Sequence, residues 1–319
     1  MADLPVTIII PTFNGLRLLV ACLEALRQQT YPAQATEIIV VDDASSDGTA
    51  SLLHERYPEV RVVVMPRNRG LAAACNAGAA QARGQLLVML NNDTEPEPGW
   101  LAALVAAADA NPQAGAIASK MLLHDRRDTL HNAGDVMGID GVPRNRGVWQ
   151  RDDGQFDLSP IVFGGCGGGV AYCRAAWEEA GGFDEHLFMY LEDVDLAWRL
   201  QLLGWSAAFA PAARLYHHLS ATGGGVLASF FTGRNLIWVV AKDMPAPLLR
   251  RYAGCILRAQ WRISRDALGA WRGRAARARL RGQLAGVLGL PRALRWRGAV
   301  QKTRRASIRQ LDDLLVREP

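Results

Sequence analysis

The sequence is poor in the features that commit a chain to a disulfide scaffold, a zinc site or a membrane span. Its five cysteines, Cys22, Cys75, Cys166, Cys173 and Cys255, form no CxxC pair and no zinc-like cluster. An odd count without a secretory pattern points to a reducing cytosol. The N-terminus carries Asp3 and no basic stretch before its first apolar run, so no signal peptide is expected. No uninterrupted apolar run reaches the ~18–20 residues of a membrane span. The best candidate, residues 230–241, is broken by Arg234 and Asn235. The glycine-rich stretch 163–170, FGGCGGGV, lacks the lysine of a P-loop. It is either a tight bend or a place where a ligand approaches the backbone.

The chain has ample apolar material. Half of its 319 residues are apolar, enough to bury the core of one large domain or two ordinary ones. Charge is divided unevenly. Residues 246–319 hold 18 Lys and Arg against 4 Asp and Glu, a formal +14, which leaves 18 basic against 27 acidic residues, −9, in residues 1–245. An acidic body with a basic tail suggests a soluble domain whose tail meets an anionic surface.

Residues 86–90, LLVML, are wholly apolar and bounded by Gly84, Pro96 and Pro98, which fits a buried central strand. Asn91, Asn92 and Asp93 follow at its carboxyl end, where open α/β sheets bind ligands. Oxygen ligands there suit Mg²⁺ or Mn²⁺, which also take substrate phosphates. A polar turn capping the next helix explains the same residues equally well. Around this stretch, strand patterns at 6–10, 37–41, 60–65 and 115–119 alternate with helical patterns at 16–30, from Thr49, at 71–82 and at 100–109. Such a βαβ series implies a mainly parallel sheet covered on both faces. Residues 120–160 read as long polar loops with a hairpin.

Leu191, Val194, Trp198 and Leu202 fall at helical spacing and predict a helix over 192–203, stopped by Gly204. Glu192, Asp193 and Asp195 crowd its first turn. The helix dipole favours acidic residues there, and a carboxylate on a rigid element also suits a general base. Asp195 and Arg199 stand at i,i+4 and can pair along the helix. Short strands are expected at 206–210 and 213–216, followed by His217 and His218, then Ser220, Thr222 and three glycines, a moderate metal or phosphate signal.

Seven segments in order, VTIIIPTFNG, EIIVVDDASSDGT, NRGLAAACNAGAA, LLVMLNNDTEPEPGWL, GGFDEHLFMYLEDVDLAWRLQLLGW, YHHLSAT and FFTGRNLIWVVAKDMP, resemble family 2 glycosyltransferases of the GT-A fold. The subgroup they resemble is the rhamnosyltransferase-like bacterial enzymes of cell-surface polysaccharide synthesis. The resemblance covers residues 4–245 and implies a catalytic domain over 1–245 with a basic helical region over 246–319. It implies that Pro11, Phe13 and Asp43, with Asp42 beside them, hold the base of a UDP- or dTDP-sugar, and that Asn68 and Asn76 line the donor pocket. Asn91-Asn92-Asp93 matches the DxD-type motif, so Asp93 would hold Mg²⁺ or Mn²⁺ and Asn92 would face ribose or diphosphate. With Asn91 in the first acidic position, a single carboxylate remains as ligand. His217 matches a position that completes metal or diphosphate binding, and Asp193, beside Glu192, matches the catalytic base. Arg234 and Asn235 match an RN pair whose role stays open. The reaction implied inverts the anomeric centre and builds a glycan or a lipid-linked acceptor.

Two other readings compete. A nucleotidyltransferase needs a basic loop after the first strand, where this chain has PTFNG and only Arg17 nearby. A sugar-nucleotide-binding module without chemistry would have no need of Asp93, Asp193 and His217 together. In the tail, Leu249, Leu257, Trp261 and Leu268 lie roughly on one helical face among arginines, as in a helix lying in a membrane interface. Packing on protein is the second reading, and nucleic acid the least suited of the three, although charge alone does not choose. The expected location is the cytoplasm, or the inner face of the cytoplasmic membrane.

Overall fold

The computed structural model describes residues 6–218 and 224–317, so Ser220, Thr222 and Gly223 lie outside the described residues. The elements run β1 (Val6–Thr12), α1 (Leu16–Arg27), β2 (Thr36–Asp42), α2 (Thr49–Arg56), β3 (Arg61–Val64), α3 (Leu71–Ala79), β4 (Leu86–Leu90), β5 (Thr94–Pro96), α4 (Trp100–Ala110) and β6 (Ala114–Leu123). They continue through β7 (Leu130–Asn132), β8 (Asp135–Gly138), β9 (Pro143–Asn145), β10 (Ile161–Val162), β11 (Gly169–Cys173), α5 (Arg174–Ala180), α6 (Glu192–Leu203), β12 (Ser206–His217), α7 (Val226–Asp243), α8 (Ala246–Gly269), α9 (Arg274–Leu288), α10 (Leu290–Lys302), α11 (Ile308–Asp313) and β13 (Leu315–Val316).

Side-chain alternation along the central strands builds a core on each face of the sheet. Val6, Ile8 and Ile10 of β1, with Leu86, Val88 and Leu90 of β4, join α1, α2 and α4. Ile9, Leu87 and Met89 join α3, α5 and α6 on the other face. Helix α3 is built from small residues and sits close to the sheet, so that a Cβ on Gly78 would collide with Ile9.

The order β4-β1-β2-β3 is parallel throughout, and β12 is parallel to β6. Strand β11 is inserted between β4 and β6 and runs antiparallel to both. The sheet is therefore mixed: its β4-β1-β2-β3 half is parallel, whereas β11 and the short strands β5, β7 and β10 pair antiparallel, and the glycine-rich stretch is the bend that turns the chain into β11.

Two expectations are corrected in detail. The strand expected at 115–119 extends to Leu123, because Lys120 is buried within it and its ammonium pairs with Asp152 at 2.9 Å and Asp157 at 2.6 Å. The two pieces expected at 206–210 and 213–216 are one strand with a register shift between Ala210 and Arg214. Pro211 stands in that shift, where a residue without an N–H is tolerated. Within 120–160 the chain forms β7 and a β8–β9 hairpin, and β13 pairs in parallel with β8.

A third core joins α6 and α7 to the C-terminal helices through Trp198, Trp238, Met244, Leu248 and Leu311. Helices α7 and α9 cross almost in backbone contact, since a Cβ on Gly282 would collide with the Phe230 carbonyl. The Trp238 indole N–H donates to the Gly286 carbonyl at 3.0 Å. Among the described residues, no helix is long and apolar enough to cross a membrane.

Candidate active site

Strands β1, β2 and β4 end side by side, with Thr12 in register with Asp42. Their ends deliver the residues of one rim. Asp42 Oδ1 accepts the Ser45 N–H at 2.8 Å, and Asp47 accepts the Leu16 N–H at 3.1 Å, holding the first turn of α1. Asp43 accepts the N–H groups of Arg69 and Gly70, both at 2.8 Å. Burial pushes the Asp43 carboxyl up, and those two N–H groups pull the other way. Gly70 must be glycine: its φ is +86°, and a Cβ would strike the Phe188 backbone carbonyl.

The other residues assigned to the donor side have these places. Pro11 is buried in β1, Phe13 is 49% exposed at the rim, and Asn68 is exposed in the turn before α3. Asn92 is buried, and its amide donates to Thr12 Oγ1 at 2.8 Å. Asn76 uses both ends of its carboxamide on the Phe183–Glu185 segment: it donates to the Phe183 carbonyl and to Glu185, and accepts the Phe183 N–H.

A cleft of about 900 Å³ opens beside this rim and is lined by Asp93, His217, Glu192 and Asp193 together. Asp93 Oδ1 lies 3.3 Å from His217 Nε2, and the His131 ring stacks on His217 with centroids 4.8 Å apart. Burial and the neighbouring His217 push His131 down to about 4, so it is neutral at pH 7 and backs His217 as a flat ring. One carboxylate and one imidazole are two ligands for a divalent cation. An oxygen-seeking cation fills the rest of its shell from phosphate oxygens and water, so the pair fits such an ion.

On α6, Asp193 Oδ2 accepts the Gly167 N–H and Oδ1 the Val194 N–H, both at 2.8 Å. Burial still raises the Asp193 carboxyl above the usual carboxylate range. Burial, then the charge of Asp193, pushes the Glu192 carboxyl well above its ordinary value. Asp135, at the start of β8, also lines the cleft. Burial and Asp193 raise it to about 8 against the pull of the Asn132 amide, which donates to it at 2.5 Å.

The position of α6 is set from behind. Phe188, Tyr190 and Leu191 all have left-handed backbone, with φ of 68°, 65° and 66°. For residues other than glycine, such conformations persist only when surrounding contacts impose them. The imposing group is Asn235 of α7, fully buried, whose amide donates to the carbonyls of Leu187, Met189 and Tyr190 at 3.0, 3.0 and 2.7 Å. Arg234 donates to the carbonyls of His186 and Leu187 and to Asn235 Oδ1. The RN pair thus clamps the segment from which Glu192 and Asp193 emerge. Two residues on, Asp195 points away from the cleft. Burial would raise it, but Arg199 and Lys242 outweigh burial and hold it at about 2. Arg199 donates to Asp195 Oδ2 at 2.9 and 2.6 Å, and Lys242 pairs with Asp195 and with Asp184.

Sequence reasoning missed Asp135 and His131, which lie in the stretch read as loops, and could not assign Arg234 and Asn235. Closely spaced polar residues among glycines, HNAGD, were the available signal for the first two.

A family model described as "Glycosyl transferase family 2" matches residues 7–180. The N-acetylglucosaminyl-diphospho-decaprenol L-rhamnosyltransferase of Mycobacterium tuberculosis (strain ATCC 25618 / H37Rv) is 29% identical over 304 residues, covering 86% of this chain and 88% of that protein. S. aureus TarS 1-349 in complex with UDP is similar with a TM-score of 0.58 at 15% identity, over 94% of this chain and 90% of that one. The mannosyltransferase PcManGT from Pyrobaculum calidifontis, in complex with GDP-Man and Mn²⁺, gives 0.55 at 22% identity, over 97% and 78%. At these identities the structures establish the GT-A fold, and the family match goes further: the chain belongs to glycosyl transferase family 2.

Proposed function

We propose that this glycosyltransferase moves a sugar from a UDP- or dTDP-sugar to an acceptor hydroxyl in one inverting displacement, with Asp193 as the base and Mg²⁺ or Mn²⁺ held by Asp93 and His217. The observation that carries the reading is that one cleft is lined both by the Asp93–His217 pair and by Asp193. When bound, the cation would offset the charge that builds on the leaving diphosphate. Asp193 keeps lone pairs for the acceptor proton, and burial raises its pKa, the direction that strengthens a base. A single displacement needs one base near the attacking oxygen, unlike the acid and base pair of an inverting glycosidase. Pro11, Phe13, Asp42, Asp43, Asn68, Asn76 and Asn92 are proposed to receive the nucleotide, with Asp43 shaping the 69–70 turn.

In this reading residues 1–245 form the catalytic domain, and 246–319 a helical extension that contributes Asp266 and Arg279 to the cleft. The name of the mycobacterial relative supports an L-rhamnosyl donor and a polyprenyl-diphosphate-linked acceptor. A lipid-linked acceptor fits the exposed faces of the extension. Leu257, Trp261, Leu268 and Trp271 are each more than half exposed, on an arginine-rich helix and the turn after it. Anionic lipid would attract such arginines at about 1 kcal/mol each.

NMR of the product tests the displacement. Its anomeric configuration is expected to be opposite to that of the donor, and retention would overturn the single-step reading.

A further inference from the structure

The residue after His217 faces a different set of groups. Strand β12 pairs with β5 on one side and β6 on the other, and His217 is in register with both Thr94 and Leu123. This register brings together Glu95 of β5, His124 just past β6 and His218 just past β12. His218 Nε2 lies 2.9 Å and His124 Nε2 3.2 Å from the same Glu95 oxygen, Oε1. The two imidazoles are stacked with centroids 3.6 Å apart, and the ligand atoms of all three residues lie within 4.8 Å of one another. None of the three lines the cleft.

The surroundings hold these side chains in place. The His124 N–H donates to the His217 carbonyl at 3.0 Å, and the His218 N–H to the Asp93 carbonyl at 2.9 Å. Asp125 lies 3.1 Å from His124 Nδ1, the carboxylate–imidazole contact that orients a metal-bound histidine. Arg127 takes the other oxygen of Glu95 at 3.3 Å, which leaves Oε1 for the imidazoles. Each ligand is about one quarter exposed, so an ion can enter from solvent and keep a water.

We propose that Glu95, His124 and His218 form a second metal site, separate from the Asp93–His217 pair, that takes a borderline divalent cation of the Zn²⁺ type. Two imidazoles and a carboxylate are the ligand set of such ions, whereas Mg²⁺ prefers oxygen alone. The ion would join three strand ends at the point where His217 enters the cleft. It would thereby fix the backbone from which His217 reaches Asp93. The site does not depend on the assignment of Asp93 and His217, because its ligands are other residues.

The test is a titration of the chelator-stripped full chain with Zn²⁺ against a chromophoric competitor, followed by thermal melting with and without Zn²⁺. Wild type and Asp93→Asn are each expected to bind one equivalent and to melt at higher temperature with it. His124→Gln and Glu95→Gln are expected to weaken that equivalent by more than the ~10–100-fold that losing an outer-shell partner costs, with unchanged melting in the absence of metal. A wild type that binds no equivalent overturns the site. So does an equivalent lost in Asp93→Asn but kept in His124→Gln, which would place the ion in the cleft. If His124→Gln alone melts early without metal, Glu95→Gln decides by the same two readings.

Discussion

Asp193 and Asp195 stand two residues apart in one turn of α6, and the two sides of that helix are electrically opposite. Towards the cleft, Asp193, Glu192 and Asp135 are crowded with no cation among the causes of their shifts, and burial raises all three. On the back, Asp195 is more deeply buried, yet Arg199 and Lys242 hold it at about 2. Burial alone does not set the state of Asp195, because Arg199 and Lys242 outweigh it there. One acidic cluster is thus split into a side whose carboxyls are raised towards the cleft and a side that holds α6 to α7.

Substitutions on each side separate these roles. Asp193→Asn should lower turnover about 10³-fold or more, within or beyond the ~10²–10⁴ usual for a general base, with unchanged melting and donor affinity. Steady-state kinetics beside calorimetry checks it, and retained turnover removes the base assignment. On the back, Lys242→Met leaves Asp195 and Asp184 without their shared buried cation. A loss of about 3–5 kcal/mol in unfolding free energy from denaturant titration is expected, and a loss below about 1 kcal/mol would mean that the network is dispensable.

Asn235→Ala probes the link between the two sides. It frees three carbonyls and the left-handed segment they hold, so stability should fall by roughly 2 kcal/mol and turnover should fall with it. Loss of stability with full turnover would show that the clamp does not position Asp193. The effect expected at Asp135 depends on pH, and its sign is unusual. Its folded pKa of about 8 lies above the ~3.9 of an unfolded aspartate, so the folded chain keeps a proton that the unfolded chain releases. That contribution is complete below about pH 4 and is lost as pH rises towards 8. Asp135→Asn never ionises and should melt higher than wild type at pH 8, with no gain at pH 4. An equal shift at both pH values would contradict the raised pKa.

The same contrast explains what could be read in advance. β4 over 86–90 and α6 over 192–203 stand where the apolar spacing puts them, and the Asp195–Arg199 pair forms as the i,i+4 spacing suggests. Those features are local. The cation that divides the acidic turn, Lys242, lies 47 residues further on, and nothing in the local pattern announces it. The apolar pattern of β6 stops short of its true end because a buried lysine, neutralised from residues 152 and 157, interrupts it. The antiparallel entry of β11 and the arrival of Asp135 in the cleft depend on the path of 120–168, where glycine and polar residues leave no period to follow. Arg234 and Asn235 act on backbone carbonyls, which any sequence supplies, so their partners were invisible.

The measurement that bears most directly on the chemistry is calorimetric titration of UDP and dTDP, each with and without Mn²⁺, into wild type, Asp93→Ala and Asp193→Asn, alongside turnover of the same preparations. One nucleotide is expected to bind wild type and Asp193→Asn equally and only with the cation, and to bind Asp93→Ala at least about tenfold more weakly. Turnover should be lost in both variants. Binding that ignores Mn²⁺ and survives Asp93→Ala, or turnover that survives Asp193→Asn, would contradict a cleft in which Asp93 and His217 hold the cation and Asp193 takes the proton.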